Sequence, residues 1–153
     1  MAKAVYVLNG PNMNLLGTRQ PELYGRATLK DVEKLCAKAC KDHGFELVFR
    51  QSNHEGDLVD RLHVRDFSWL VVNPGGLTHT SVALRDALLA IERPFAEVHL
   101  TDPSEREAFR RVNFVEDLAA VRVRGLGAAG YERAVALVAA LRAEVFQLDP
   151  SDG

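Results

Sequence analysis

Short apolar runs alternate with longer amphipathic stretches along the whole chain. Five runs read as strands: AVYVL (4–8), FELVF (45–49), WLVVN (69–73), FAEVHL (95–100) and AVRVRG (120–125). They are five or six residues long and rich in β-branched or aromatic residues, as buried strands are. Between them the period changes to helical. TLKDVEKLCAKACKDHG (28–44) opens with Thr28 as cap and Asp31 three residues on. Its apolar stripe is Leu29, Val32, Leu35, Cys36 and Ala39, and Gly44 ends it. Further helices are expected over 55–66, 78–91, 102–111 and 128–147; the one over 102–111 rests on Asp102 as cap with Pro103 at the first position. The tail from 148 to 153 is expected to fray.

Strands alternating with helices predict an α/β, flavodoxin-like fold. It is a doubly wound five-stranded parallel sheet, order 2-1-3-4-5, with helices on both faces. At 153 residues the chain makes one domain. Ligands of such sheets bind outside the carboxyl ends of the strands. Polar clusters fall there in this sequence: NGPNMN after the first strand, QSNHEG after the second, NPGGLTHTS after the third and HLTDPSE across the end of the fourth. The fifth is followed by RGLGAAG, which carries little chemistry.

Composition removes several classes. A net charge of -2 argues against a general nucleic-acid or membrane-surface binder, and no apolar run approaches membrane-spanning length. The start of the chain lacks a signal-peptide layout, so a cytoplasmic location is expected. Cys36 and Cys40, four apart on one helix face, read as buried small hydrophobes. His43, His54, His63, His79 and His99 show no metal-ligand spacing, and no metal is expected. Every lysine is Lys3 or lies on the first helix (Lys30, Lys34, Lys38, Lys41), so none sits at a strand's carboxyl end as a Schiff-base residue would. The first loop is no phosphate cradle, because Pro11 removes a donor and the Gly-x-Gly-x-x-Gly spacing is missing.

Acid–base chemistry without a cofactor remains. Glu97 and His99, two apart on a strand, share a face, and a carboxylate beside an imidazole fixes its tautomer. Read alone the pair could equally be structural. Tyr24 and Arg19 lie on one long loop, where a cation could support a phenolate; a packing tyrosine and a surface arginine fit the pattern as well. Arg106 and Arg110 fall on one face of the expected 102–111 helix, either paired with Glu105 or Glu107 or reaching toward an oxygen-rich substrate.

Five motifs in order, LNGPNMNLLGTRQPELYG, QSNHEGDLVDRLH, VNPGGLTHTSVALRDAL, EVHLTDPSEREAFR and GLGAAGYERAVALVAAL, resemble the type II 3-dehydroquinate dehydratases from about Val5 to Leu141. The resemblance implies dehydration of 3-dehydroquinate to 3-dehydroshikimate by anti elimination through an enolate, with no cofactor. It implies Tyr24 as general base, Arg19 as the cation keeping it reactive, His99 as general acid supported by Glu97, and Asn12 as holder of a water on the enolate oxygen. Asn73, His79, Leu100, Thr101 and Arg110 correspond to substrate-binding positions, with Arg106 supporting the same site. Asp86 corresponds to a residue presented across a subunit interface in a dodecamer built from trimers. Residues 17–25 become a lid, with Asn9 to Asn14 as pocket floor and Gly17 and Gly25 as hinges. Met13, Gln20 and Thr101 stand where Leu, Glu and Ser are common in that family. The alternative from another class is a non-catalytic flavodoxin-like module binding a nucleotide or flavin.

Overall fold

The computed structural model describes residues 3–148. All five strands are parallel, in the order β2-β1-β3-β4-β5. They are β1 (Lys3–Asn9), β2 (Phe45–Gln51), β3 (Trp69–Asn73), β4 (Phe95–His99) and β5 (Val121–Arg124). The helices are α1 (Pro21–Tyr24), α2 (Leu29–Asp42), α3 (Glu55–Val64), α4 (Val82–Ala90) and α5 (Ala129–Leu148). The expected strand order is the observed one. The expected frayed tail, beyond Leu148, lies outside the described residues.

Strand alternation divides the core in two. Val5, Val7, Val71, Ala96, Val98, Val121 and Val123 pack on one face, against Val32 and Cys36 of α2 and Tyr131, Val135 and Val138 of α5. Tyr6, Leu8, Leu70, Val72 and Phe95 pack on the other, against Leu58 and Leu62 of α3 and Leu84 and Leu88 of α4. Cys36 and Cys40 are buried as expected, and burial pushes the Cys36 thiol up to about 12. The Thr28–Asp31 capping box that announced α2 is formed in both directions.

Two expected helices differ. The segment expected to run unbroken from 78 to 91 is a 3-10 turn, Gly75–His79, followed by α4. Ser81, in extended conformation, separates them and caps α4 by accepting from the Leu84 amide at 2.8 Å. No helix forms over 102–111. Asp102 accepts from the Ser104 amide at 3.0 Å, but the chain makes only two 3-10 turns, Pro103–Glu105 and Ala108–Arg111, with Arg106 extended between them. Cap signals start a turn, whereas a stable helix needs an apolar stripe to bury, and here Phe109 is 62% exposed.

Candidate active site

The carboxyl ends of β1, β3 and β4 open into a cavity of about 180 Å³. The β1 loop contributes Pro11, Asn12 and Met13; the β3 loop Asn73, Gly75, Gly76 and His79; the end of β4 His99, Leu100, Thr101 and Pro103. Arg106 and Arg110 come from the turns that follow, and Arg19 and Tyr24 close the cavity from the long first loop.

The floor is fixed by the two innermost strand ends. Asn9 and Asn73 are register partners, and both are buried. The fully buried Tyr131 hydroxyl donates to Asn9 Oδ1 at 2.6 Å and accepts from Asn73 Nδ2 at 3.0 Å. Burial pushes that phenol far above its ordinary range, so it stays a neutral donor. Asn73 Oδ1 also accepts from the Gly75 amide at 3.2 Å. Gly10 follows directly, and a Cβ there would fall 2.2 Å from the Pro74 carbonyl oxygen. Only glycine lets the β1 and β3 loops meet this closely.

The cluster QSNHEG falls at the end of β2 as expected but does not line this cavity. It braces the loop from behind instead. Gln51 Nε2 donates to the Gly10 carbonyl at 3.2 Å, and Asn53 Oδ1 accepts from the Asn12 amide at 3.0 Å. Asn12 is held there with φ 69°.

Beyond Asn12 the loop has an anchored base and an exposed outer part. Met13 and Leu16 are buried, whereas Gln20 to Leu23 are exposed. Gln20, at φ 41°, leads into α1 with Pro21 at its first turn, and Gly25 ends it at φ 84°. Gly17, at φ 91°, lies against Arg26 and Thr28, so the outer part enters and leaves through one narrow neck. Its inner side carries Arg19 and Tyr24. The guanidinium carbons of Arg19 and Arg106 lie 5.1 and 5.3 Å from the centre of the Tyr24 ring. Both guanidinium groups are within cation–π reach of the Tyr24 ring.

His99 lines the same cavity from the end of β4. Its buried Nε2 lies 3.3 Å from Glu97 Oε2, within ion-pair reach but without a hydrogen bond. Glu97 is completely buried. Burial alone would raise its pKa, but His99, Asn113 and Arg124 together hold the carboxyl below its ordinary range. Asn113 Nδ2 donates to Oε2 at 2.8 Å and Arg124 Nη2 to Oε1 at 3.2 Å. His79 Nδ1 sits 2.6 Å from the Val112 carbonyl and so carries the hydrogen. Burial lowers the His79 pKa, favouring a neutral ring with Nε2 as acceptor. Arg110 pairs with Glu107 while lining the cavity, and Arg106 Nε lies 4.0 Å from the same carboxylate.

The fold thus brings Asn12, Arg19, Tyr24, Asn73, His79, His99, Leu100, Thr101, Arg106 and Arg110 to one cavity, with Glu97 directly behind His99. Asp86 is not among the lining residues; it is exposed on α4. Asn113, Arg124 and Tyr131 were not anticipated. Arg124 begins RGLGAAG, the segment read as carrying little chemistry. Among the described residues no group of three His, Cys, Asp or Glu side chains is gathered as a metal site would require.

The cavity's residues belong to segments shared with known proteins. The model of the family Dehydroquinase class II matches residues 3–139. A 3-dehydroquinate dehydratase of Phenylobacterium zucineum is 53% identical, the match covering 92% of this chain and 99% of that one. One of Rhodopseudomonas palustris is 51% identical over 92% of this chain and 95% of its own. The crystal structure of type II dehydroquinase from Butyrivibrio crossotus superposes with a TM-score of 0.86 at 33% identity, covering 90% of this chain and 97% of that one. By sequence over nearly its whole described length, and by fold, this chain belongs to the class II dehydroquinases.

Proposed function

We propose that this protein dehydrates 3-dehydroquinate to 3-dehydroshikimate, a hydro-lyase reaction of the type II class. The observation that carries this reading is the meeting, in one cavity, of a phenol with two guanidinium groups near its ring and an imidazole beside a buried carboxylate. An anti elimination needs a base and an acid on opposite sides of the substrate. Tyr24, as phenolate beside Arg19 and Arg106, removes the proton at carbon 2, next to the ketone. The resulting enolate is stabilised by polar groups already in place, with Asn12 holding a water against its oxygen. His99 then donates its proton to the hydroxyl leaving carbon 1, and the conjugated enone forms. Asn73, His79, Arg110, Leu100 and Thr101 bind the substrate's hydroxyls and carboxylate. No cofactor or metal takes part in these steps. Family membership displaces the alternative of a non-catalytic nucleotide- or flavin-binding module.

The same reading includes a homo-oligomer, a dodecamer of trimers in which Asp86 completes a neighbouring site. Val82, Asp86 and Leu89 share one face of α4, and the two apolar ones are 53% and 51% exposed, which is the character of a surface awaiting another subunit. The protein works in the cytoplasm, in aromatic amino acid biosynthesis or in quinate breakdown.

The product absorbs in the ultraviolet through its conjugated enone and the substrate does not. Mixing chelator-treated protein with 3-dehydroquinate is expected to give a growing band, unaffected by borohydride. A flat trace from folded protein would overturn the proposal.

A further inference from the structure

The imidazole at the cavity is tied to a chain of charges that runs away from it, through β4 to the far edge of the sheet. Glu97 and His99 follow one another on the same face of β4, and Arg124 ends β5 in register with His99. Glu97 divides its oxygens: Oε2 accepts from Asn113 and lies 3.3 Å from His99 Nε2, an ion-pair contact, while Oε1 accepts from Arg124. The same Arg124 nitrogen, Nη2, is ion-paired with Glu116. Glu116, Arg124, Glu97 and His99 therefore form an alternating line in which only the last member reaches the cavity.

We propose that Arg124 is a positioning residue for His99: by holding Glu97 ionised and aimed at Nε2, it keeps the ring's hydrogen on that nitrogen and presents Nδ1 to the reacting oxygen. The proposal rests on the reading of His99 as proton donor. A completely buried carboxylate is costly unless a cation faces it. His99 is such a cation only while it is protonated, and donating its proton ends that. Asn113 contributes a hydrogen bond but no charge. Arg122, the register partner of Glu97, spends its Nε on the Glu116 carbonyl. His79 and Asp102 also interact electrostatically with His99, and Arg106 and Arg110 line the same cavity. Among the described residues Arg124 is the guanidinium paired with Glu97, and its charge stays constant through the cycle, because a guanidinium does not deprotonate in this range.

The loss of Arg124 has a definite sign. Glu97 is held low by its partners; without the guanidinium it takes up a proton at higher pH. A protonated Glu97 no longer sets a negative charge 3.3 Å from Nε2, so the ring loses what favours its hydrogen on that nitrogen. Turnover then fails on the acid side at a pH where the parent still works.

The test compares the full-length protein with Arg124→Met and Arg124→Lys. With 3-dehydroquinate as substrate, Arg124→Met is expected to keep KM within about twofold while kcat falls several-fold, its acid-side decline displaced upward by about one pH unit. Arg124→Lys recovers part of that displacement. A kcat profile of Arg124→Met superimposable on the parent's overturns the proposal, as does a loss confined to KM. A substrate-free measurement separates this result from the function itself. Long-range proton–nitrogen NMR is expected to show the hydrogen of His99 on Nε2 in the parent and shared between both nitrogens in Arg124→Met. Identical tautomer distributions overturn the role of Arg124. If the parent turns over no 3-dehydroquinate, the functional reading fails, and the NMR comparison still decides the role of Arg124.

Discussion

Arg106 places its guanidinium carbon 5.3 Å from the centre of the Tyr24 ring, although one residue follows β4 and the other belongs to the loop after β1. The failure of a helix over 102–111 is what allows it. In a continuous helix Arg106 and Arg110 would lie on one shared face; the extended Arg106 between two turns sends the chain back over the rim instead.

If Tyr24 is the base, its hydroxyl is the atom that matters and its ring the part that packs. Tyr24→Phe is expected to lower kcat by about 10²–10⁴-fold while substrate affinity stays within a few-fold. The enone absorbance gives kcat, and calorimetric titration the affinity. Near-normal turnover by this variant would remove Tyr24 from the mechanism.

Two cations on one ring also predict non-additivity. Arg19→Met and Arg106→Met should each reduce kcat by about tenfold or more, at roughly 1–2 kcal/mol for a desolvated cation over an aromatic face. Because both act on the same phenol, the double variant should depart from the sum of the single effects by about 0.5 kcal/mol or more. Strict additivity in kcat would show that they act through different groups.

The floor can be tested without touching any ionisable group of the cavity. Tyr131→Phe leaves Asn9 Oδ1 and Asn73 Nδ2 buried and short of a partner, and is expected to lower unfolding stability by about 2 kcal/mol. Gly10→Ala drives a Cβ into the Pro74 carbonyl and should cost about 1–3 kcal/mol together with most of the activity. Urea unfolding measures both. A Gly10→Ala protein of parental stability would mean that the two loops separate easily.

Acid stability follows from Glu97. Its folded pKa lies below the unfolded value, so the stability it contributes is complete above the ordinary carboxylate range and is lost as pH falls through the folded value. Glu97→Gln should therefore destabilise the protein at pH 7 by about 3 kcal/mol. That is the low end for a broken buried pair, because 27% of the Arg124 side chain remains accessible to water. The same change should flatten the dependence of the urea midpoint on pH below about 5. An unchanged slope would place the acid sensitivity in other carboxyl groups.

The sheet order was readable because each strand is a short apolar run with a full amphipathic stretch after it, and right-handed crossovers leave few arrangements. Most of the cavity was readable for the same reason: Asn12, Asn73, His79 and His99 lie at or just past strand ends. Arg124 was hidden because alternation marks which face of a strand a residue takes, and says nothing of whether a buried carboxylate waits on that face. Tyr131 was hidden among apolar neighbours of α5, its hydroxyl partners lying at two distant strand ends. Gln51 and Asn53 lie at the rim as read, but support the first loop rather than line the cavity, a distinction that exists only once the loop is folded.

The neck at Gly17, where the outer loop enters and leaves against Arg26 and Thr28, makes that loop a nearly closed ring. The entropy of closing such a ring grows only with the logarithm of its length, so doubling it costs about 0.6 kcal/mol. Residues could be added between Gly17 and Gly25 with little loss of stability and no change to the walls formed by β3 and β4. Chain entropy sets the length of this ring only loosely, whereas Arg19 and Tyr24 within it have to reach the cavity and the sheet beneath is held to its register.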